Sequence, residues 1–134
     1  MSLLVVATYP LAAGPVLDGP VTVDANGLVS VGGVCVPSAQ GTSAMLGAAC
    51  QVAAHLGRRP PHALVSGDIG RGDGTREVYR RLADTAARVR PDVIAFHYIQ
   101  PIMALMRVAV AELAQAAPEA LLVADAGGMY AAKA

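Results

Sequence analysis

The sequence predicts an α/β fold in which a mostly parallel central sheet has helices on both faces, with a small antiparallel β-meander near the N-terminus. Two observations predict it. Short apolar runs alternate with segments of helical periodicity, which is the pattern of parallel βαβ units. None of these runs alternates apolar with polar residues, so each is typical of a strand buried on both faces. A length of 134 residues fits one domain, 1–134.

Seven short segments are predicted as strands. The four apolar runs that form the parallel part are Leu3–Ala7, Ala63–Ser66, Val93–Phe96 and Ala120–Ala124. The meander is predicted from runs punctuated by Asn26-Gly27 and Gly32-Gly33, which are hairpin signals. Its strands are Val21–Asp24, Leu28–Val31 and Val34–Val36.

Two amphipathic helices follow from apolar residues repeating every three or four positions. The first is Thr42–Leu56, with an apolar stripe of Met45, Ala49, Val52 and Leu56. The second is Thr75–Val89, with a stripe of Val78, Leu82, Ala86 and Val89. On its outer face, Glu77 with Arg81 and Asp84 with Arg88 give two favourable pairs at i,i+4 spacing.

A third helix, Ile102–Ala116, is apolar around most of its circumference. Such a helix must be covered on more than one side. The sequence leaves two explanations open, which are burial at the centre of the domain and a homo-oligomer that forms through helix 102–116.

Composition excludes several classes of function. Apolar residues make up 54% of the chain, and ten acidic residues balance ten basic ones, so the chain is neither disordered nor a nucleic-acid binder that relies on charge. No apolar run reaches the roughly 18–20 residues of a membrane-spanning helix. Cys35 and Cys50 are isolated, without a zinc-ligand pattern. We therefore expect a cytoplasmic protein with a small-molecule ligand, no nucleic-acid or membrane partner and no metal site.

The glycine-rich loop Gly67–Thr75, directly after the second parallel strand, is the fullest candidate site. Ligands of open α/β sheets bind at the carboxyl ends of strands, which makes Asp68, Gly70 and Gly72 candidate substrate-binding residues. The loop lacks the third glycine of a dinucleotide fingerprint and the Lys of a P-loop, so a Rossmann-like nucleotide binder is a weaker hypothesis. A flexible turn with a capping aspartate is the structural alternative.

Three further strand or helix ends supply the other candidate binding residues, which are Gly41, Thr42, Ser43, His97, Gln100 and Asp125. The start of the first helix offers amides and hydroxyls to an anion or a hydroxyl group, or is an ordinary cap. His97 either contacts a ligand or is satisfied by backbone groups. Asp125 either holds a metal, water or hydroxyl group, or caps the following helix. No residue is assigned a catalytic role.

Four segments together resemble the first half of a ribokinase-like fold. They are Gly41–Ala44, Gly67–Gly74, Phe96–Pro101 and Val123–Lys133. The resemblance is to bacterial proteins described as sugar kinases, near the NAD(P)H-hydrate dehydratase branch, and it extends over most of the chain. It implies that residues 1–134 form a Rossmann-like domain corresponding to the first half of a larger one.

In that superfamily the first half supplies the pocket of the acceptor substrate, and the second half supplies the nucleotide site and a catalytic Gly-x-Gly-Asp. Gly70-Arg-Gly-Asp73 has these letters but follows an early strand, so Asp73 receives no catalytic role. The resemblance therefore implies the substrate-binding half of a sugar-like kinase, with ATP and Mg only if the nucleotide half is supplied. The alternative is a non-catalytic α/β module that binds a small molecule or forms a homo-oligomer.

Overall fold

The computed structural model describes residues 1–37 and 40–133, with the side chains of 131–133, including Lys133, outside the described part. The strands are β1 Leu3–Tyr9, β2 Leu17–Val23, β3 Val29–Val31, β4 Val34–Cys35, β5 His62–Gly67, β6 Val93–His97 and β7 Leu121–Ala124. The helices are α1 Thr42–His55, α2 Asp73–Val89 and α3 Met103–Ala116, and a 3₁₀ segment follows at Gly128–Lys133.

The strands form one mixed sheet in the order β4-β3-β2-β5-β1-β6-β7. Strands β5, β1, β6 and β7 are parallel, with Val6 opposite Leu64 and Ala7 opposite His97 in the register. Strands β2, β3 and β4 run antiparallel, and β2 pairs with β5, so the predicted meander extends the main sheet. The α/β class and the four parallel strands are confirmed.

Successive residues of β1 enter two separate core clusters, as the two-residue period of a strand requires. Leu4 and Val6 pack with residues of α2 and α3 such as Leu82. Val5 and Ala7 pack with Leu46 of α1 and with residues of β2 and β3. The central strand is therefore buried from both sides, and its carboxyl end lies where the loops of the neighbouring strands meet.

Two burial predictions are wrong. Strand β7 was expected to be buried on both faces, but Leu121 is 63% exposed and Val123 is 50% exposed, because β7 lies at the sheet edge. The stripe predicted for α1 is also partly exposed, since α1 buries Leu46 while Val52 and Leu56 lie open.

The predicted i,i+4 pairs on α2 are replaced by other partners. Glu77 accepts a hydrogen bond from Arg80. Arg88 donates to Asp18 of β2 at 2.7 Å. A tertiary partner therefore replaces the local one, and this ties α2 to the sheet.

Helix α3 packs against α2 through Met106, Ala109 and Leu113, which are buried. Val108, on another side of the helix, is 55% exposed. In the described part of the chain, every helix is too short or too polar to cross a membrane.

Candidate functional site

A cavity of about 340 Å³ opens at the carboxyl edge of the sheet, beside the start of α1. Its walls come from the ends of β1, β5 and β6 and from the segment that leads into α1. In open α/β sheets this edge is where ligands bind. The lining residues are Thr8, Tyr9, Pro10, Gln40, Gly41, Thr42, Asp68, Gly70, Tyr98 and Gln100.

Asp68 organises the loop between β5 and α2. One of its carboxylate oxygens accepts hydrogen bonds from the backbone N–H groups of Gly70, Arg71 and Gly72 at 2.9–3.1 Å. The other accepts from the N–H of Thr75 at 3.1 Å. Burial by itself would raise the pKa of Asp68, but the four N–H donors stabilise the carboxylate and the net pKa is lowered. Asp68 is thus an ionised group that fixes the loop.

Glycines allow this loop to turn so tightly. Gly70 has a φ of 93° and Gly72 a φ of 86°, values in the left-handed region that side chains disfavour. Gly72 directly precedes α2. Positions 70 and 72 are therefore glycine because the backbone there adopts a left-handed conformation.

Thr8, at the end of β1, joins two other walls of the cavity. Its hydroxyl donates a hydrogen bond to the carbonyl oxygen of Tyr98, in the loop after β6. Its own carbonyl oxygen accepts one from the hydroxyl of Thr42, the first residue of α1. The β1 end, the β6 loop and the start of α1 are therefore held in one fixed arrangement.

The loop after β6 is also tied to α2. The backbone N–H of Gln100 donates to the hydroxyl oxygen of Thr75 at 3.1 Å. This bond leaves the half-buried side chain of Gln100 at the cavity wall. Asp68 and Gln100, which follow different strands, thus share contacts with the same residue of α2.

His97 and Asp125 form a pair of their own. His97 Nδ1 lies 2.6 Å from Asp125 Oδ1, while Nε2 is buried without a hydrogen-bond partner among the described residues. Neither residue lines the cavity. The His97 ring does contact the ring of Tyr98, edge-on with centroids 4.3 Å apart. The pair therefore lies behind Tyr98, which itself lines the cavity.

The structure brings five of the predicted binding residues to the cavity, namely Gly41, Thr42, Asp68, Gly70 and Gln100. It places the other four elsewhere. Ser43 faces a cleft beside β3 and β4, because it lies one residue further round α1. Gly72 shapes the start of α2, and His97 and Asp125 bind each other.

Sequence reasoning missed Thr8, Tyr9 and Pro10 as lining residues. The predicted first strand ends at Ala7, whereas β1 continues to Tyr9. The rule that ligands bind after parallel strands, applied to β1 as it was to β5 and β6, would have found them.

The residues described do not fit ATP–Mg. No group of three or more potential metal ligands occurs in the described residues. The single carboxylate of the cavity belongs to Asp68, and backbone N–H groups already occupy both of its oxygens. Mg²⁺ at a nucleotide is held by one or two carboxylates together with substrate phosphates, whereas the carboxylate of Asp68 already accepts four backbone N–H groups.

The chain is similar to a protein from an archaeon. An uncharacterized protein of Methanocaldococcus jannaschii is 34% identical over 90 residues, which cover 67% of this chain and 34% of that protein. The match therefore spans about a third of the length of the curated relative. No protein-family model matches the chain. No solved structure matches it either.

Proposed function

We propose that this chain binds a small-molecule acceptor, as the substrate-binding part of a ribokinase-like kinase. One observation carries the proposal, which is the convergence of three strand ends and the start of α1 on a single cavity of about 340 Å³. That volume falls in the range of small-molecule sites. Thr8 already fixes the walls through its bonds to the Tyr98 carbonyl and the Thr42 hydroxyl, which lowers the ordering cost of binding.

The finer fold assignment belongs to the same proposal. A Rossmann-like sheet with helices on both faces is supported by the division of the core, with α2 and α3 in one cluster and Leu46 of α1 in the other. The ribokinase-like assignment rests on the four sequence segments that resemble that fold. Under this proposal ATP and Mg would be held by residues other than those described.

The binding test compares two Gln→Ala variants of this chain in ligand titrations followed by thermal shift. The Gln100 side chain lines the cavity, whereas Gln115 lies on the exposed side of α3. For a small hydroxylated compound that stabilises the wild type, we expect Gln100→Ala to weaken binding about three- to tenfold, since one hydrogen bond is lost. Gln115→Ala should bind like the wild type. Equal affinity in all three proteins would count against this cavity as the site.

Asp68→Ala and His97→Ala are less suitable for that test. Asp68 holds four backbone N–H groups, so its removal would disturb the loop as well as any ligand. His97 does not line the cavity. A loss of binding in either variant would leave the site unlocated.

The alternative is a non-catalytic module that assembles through α3. The observation favouring it is Val108, which is 55% exposed on a helix that also carries half-buried Leu105 and Val110. Val108→Glu should leave the α2 contact intact and convert a dimer into a monomer in light scattering. Met106 is unsuitable for this purpose because it is buried in the core.

A further inference from the structure

The cavity described above has little net charge. Asp68 is the only charged residue among those that line it. Its carboxylate contributes one negative charge, which four backbone N–H groups of its loop and of the first turn of α2 stabilise, and the N-terminus of α1, which lines the cavity, contributes about half a positive charge. The net charge at the cavity is therefore small. A phosphate group, with about −1.5 to −2 charges, would meet no cationic side chain among the lining residues.

One wall of the cavity is the ring of Tyr98, which is 51% exposed. Two neighbours fix it in place. A Cβ on Gly41 would lie 3.1 Å from Tyr98 Cε2, closer than an ordinary contact, so glycine lets the ring pack against residue 41 without being displaced. On another side the His97 ring packs edge-on at an interplanar angle of 62°, and Asp125 holds His97. A pre-positioned, solvent-facing aromatic surface suits stacking with a flat partner.

The backbone at Tyr98 supports the same interpretation. Tyr98 has a φ of 49°, a left-handed conformation that costs a residue with a side chain free energy. The hydroxyl of Thr8 bonds the Tyr98 carbonyl and so holds this conformation. Strained backbone that the surroundings hold in place is frequent at binding sites, and here it presents an aromatic ring.

We propose that the cavity takes an uncharged ligand with a flat ring face that stacks on Tyr98, and that it disfavours phosphorylated or carboxylated ligands. This inference rests on the proposed function, because it assumes that the cavity binds a small molecule. The uncharged Gln100 side chain and the Tyr98 hydroxyl would exchange hydrogen bonds with hydroxyl or amide groups of that ligand.

The test is a titration of the 134-residue chain with matched pairs of compounds, followed by the backbone amide signals of Thr8, Gly41 and Gln100 in NMR spectra. The pairs are adenosine with its monophosphate, ribose with ribose 5-phosphate, and benzyl alcohol with benzoate, extended to a fragment library of both classes. We expect uncharged compounds to shift these signals and their anionic counterparts to bind at least about tenfold more weakly.

Two variants of Tyr98 test the stacking. Tyr98→Ala should weaken the uncharged compounds at least about fivefold, and Tyr98→Phe, which keeps the ring, should stay within about twofold of the wild type. Because Tyr98 is half-exposed, we expect both variants to fold, and the amide spectrum of each variant checks this directly. Equal binding by Tyr98→Ala and the wild type would overturn the stacking.

The remaining outcomes separate this inference from the proposed function. Anionic members that bind the same amides as well as, or better than, their uncharged partners would overturn the ligand class but keep the cavity as a binding site. Loss of that anion binding in Arg71→Gln would then identify the exposed Arg71 as the missing cation. If no compound of either class shifts the cavity amides, the ligand class and the proposed function both fail.

Discussion

At the scale of single residues, two largely buried aspartates hold elements together in different ways. Asp68 accepts four backbone N–H groups within its own loop. Asp18 on β2 joins three elements, because it accepts hydrogen bonds from the Thr85 hydroxyl and Arg88 of α2 and lies 2.6 Å from His62 of β5. Asp68 shapes the site, and Asp18 fastens α2 to the antiparallel part of the sheet.

Asp18 predicts a pH dependence of stability. Burial would raise the pKa of Asp18, but hydrogen bonds from His62, Arg88 and Thr85 outweigh burial and the net pKa is lowered. A lowered pKa stabilises the fold above the unfolded-state value of about 3.9, and this contribution disappears as pH falls through the folded-state pKa. We expect Asp18→Asn to lower the free energy of unfolding by about 2 kcal/mol at pH 7, and by much less near pH 2. Urea unfolding at pH 7, 5, 3 and 2 measures both.

The matched control is Asp84→Asn. Asp84 is exposed and four residues before Arg88, and the sequence predicts that it pairs with Arg88. The structure gives Arg88 to Asp18 instead, so Asp84→Asn should change stability by less than about 0.5 kcal/mol. The pKa of Asp68 is lowered as well, but Asp68 is present in the wild type and in both variants. Its contribution to the pH dependence of stability therefore cancels when the three proteins are compared. Equal losses in the two variants would mean that Arg88 is shared or that the Asp18 contacts contribute little.

Residues of the site differ in how far the sequence predicts them. Asp68 and Gln100 are predicted as substrate-binding residues because each follows a recognisable parallel strand, and both line the cavity. His97 and Asp125 follow such strands too, yet they bind each other, since adjacent strands bring their ends within hydrogen-bond distance. Which side chains meet a ligand and which meet one another depends on side-chain direction, and the spacing along the chain does not contain that information.

At the scale of elements, close backbone contacts place α2 on the sheet. A Cβ on Gly74, the second residue of α2, would lie 2.3 Å from the carbonyl oxygen of Gly67 at the end of β5. The three atoms nearest to that Cβ are the carbonyl oxygen and carbon of Gly67 and the Cβ of Asp68, so no flexible side-chain end can move aside. The start of α2 can therefore reach β5 only while residue 74 is glycine.

Gly74→Ala should destabilise the protein although alanine is the better helix former. Propensity alone would stabilise α2 by up to about 1 kcal/mol, whereas forcing the helix away from Gly67 costs about 1–3 kcal/mol or more. We expect a net loss of about 2 kcal/mol in urea unfolding. The control is Gly47→Ala in α1, whose Cβ would meet Val29 Cγ2 at an ordinary 3.4 Å. Gly47→Ala should therefore keep or raise the stability of the protein, and a Gly74→Ala variant as stable as the wild type would contradict the close contact.

Helices and strands are predicted well where a clear helical periodicity or a continuous apolar run is present. The helix predicted at Thr42–Leu56 is observed at Thr42–His55, and the strand predicted at Val93–Phe96 is observed at Val93–His97. The sequence does not predict the first half of β2, because Gly19 and Pro20 both disfavour strands. These two residues are nevertheless in a strand, because β2 pairs with the neighbouring strand β5 there.

At the scale of the whole molecule, the sheet is unevenly covered. Strand β1 is central and pairs with β5 and β6, and its residues from Leu4 to Ala7 are fully buried. Strand β7 pairs with β6 alone in the described part of the chain, and the apolar side chains of Leu121 and Val123 are largely exposed. Burial depends on position in the sheet. The apolar run of β1 is therefore part of the core, whereas the similar run of β7 forms an exposed edge strand.

This difference predicts the order of backbone opening. Amide hydrogens of β7 should exchange with solvent at least about a hundredfold faster than those of β1, because fewer buried contacts must break to expose them. Hydrogen–deuterium exchange followed by mass spectrometry, with light scattering at the same concentration, measures this. Protection of β7 equal to that of β1 would contradict the exposed edge. If the same sample were a dimer and Val123→Lys made it a monomer with fast exchange in β7, a second copy would cover the edge, since a charge there blocks strand pairing.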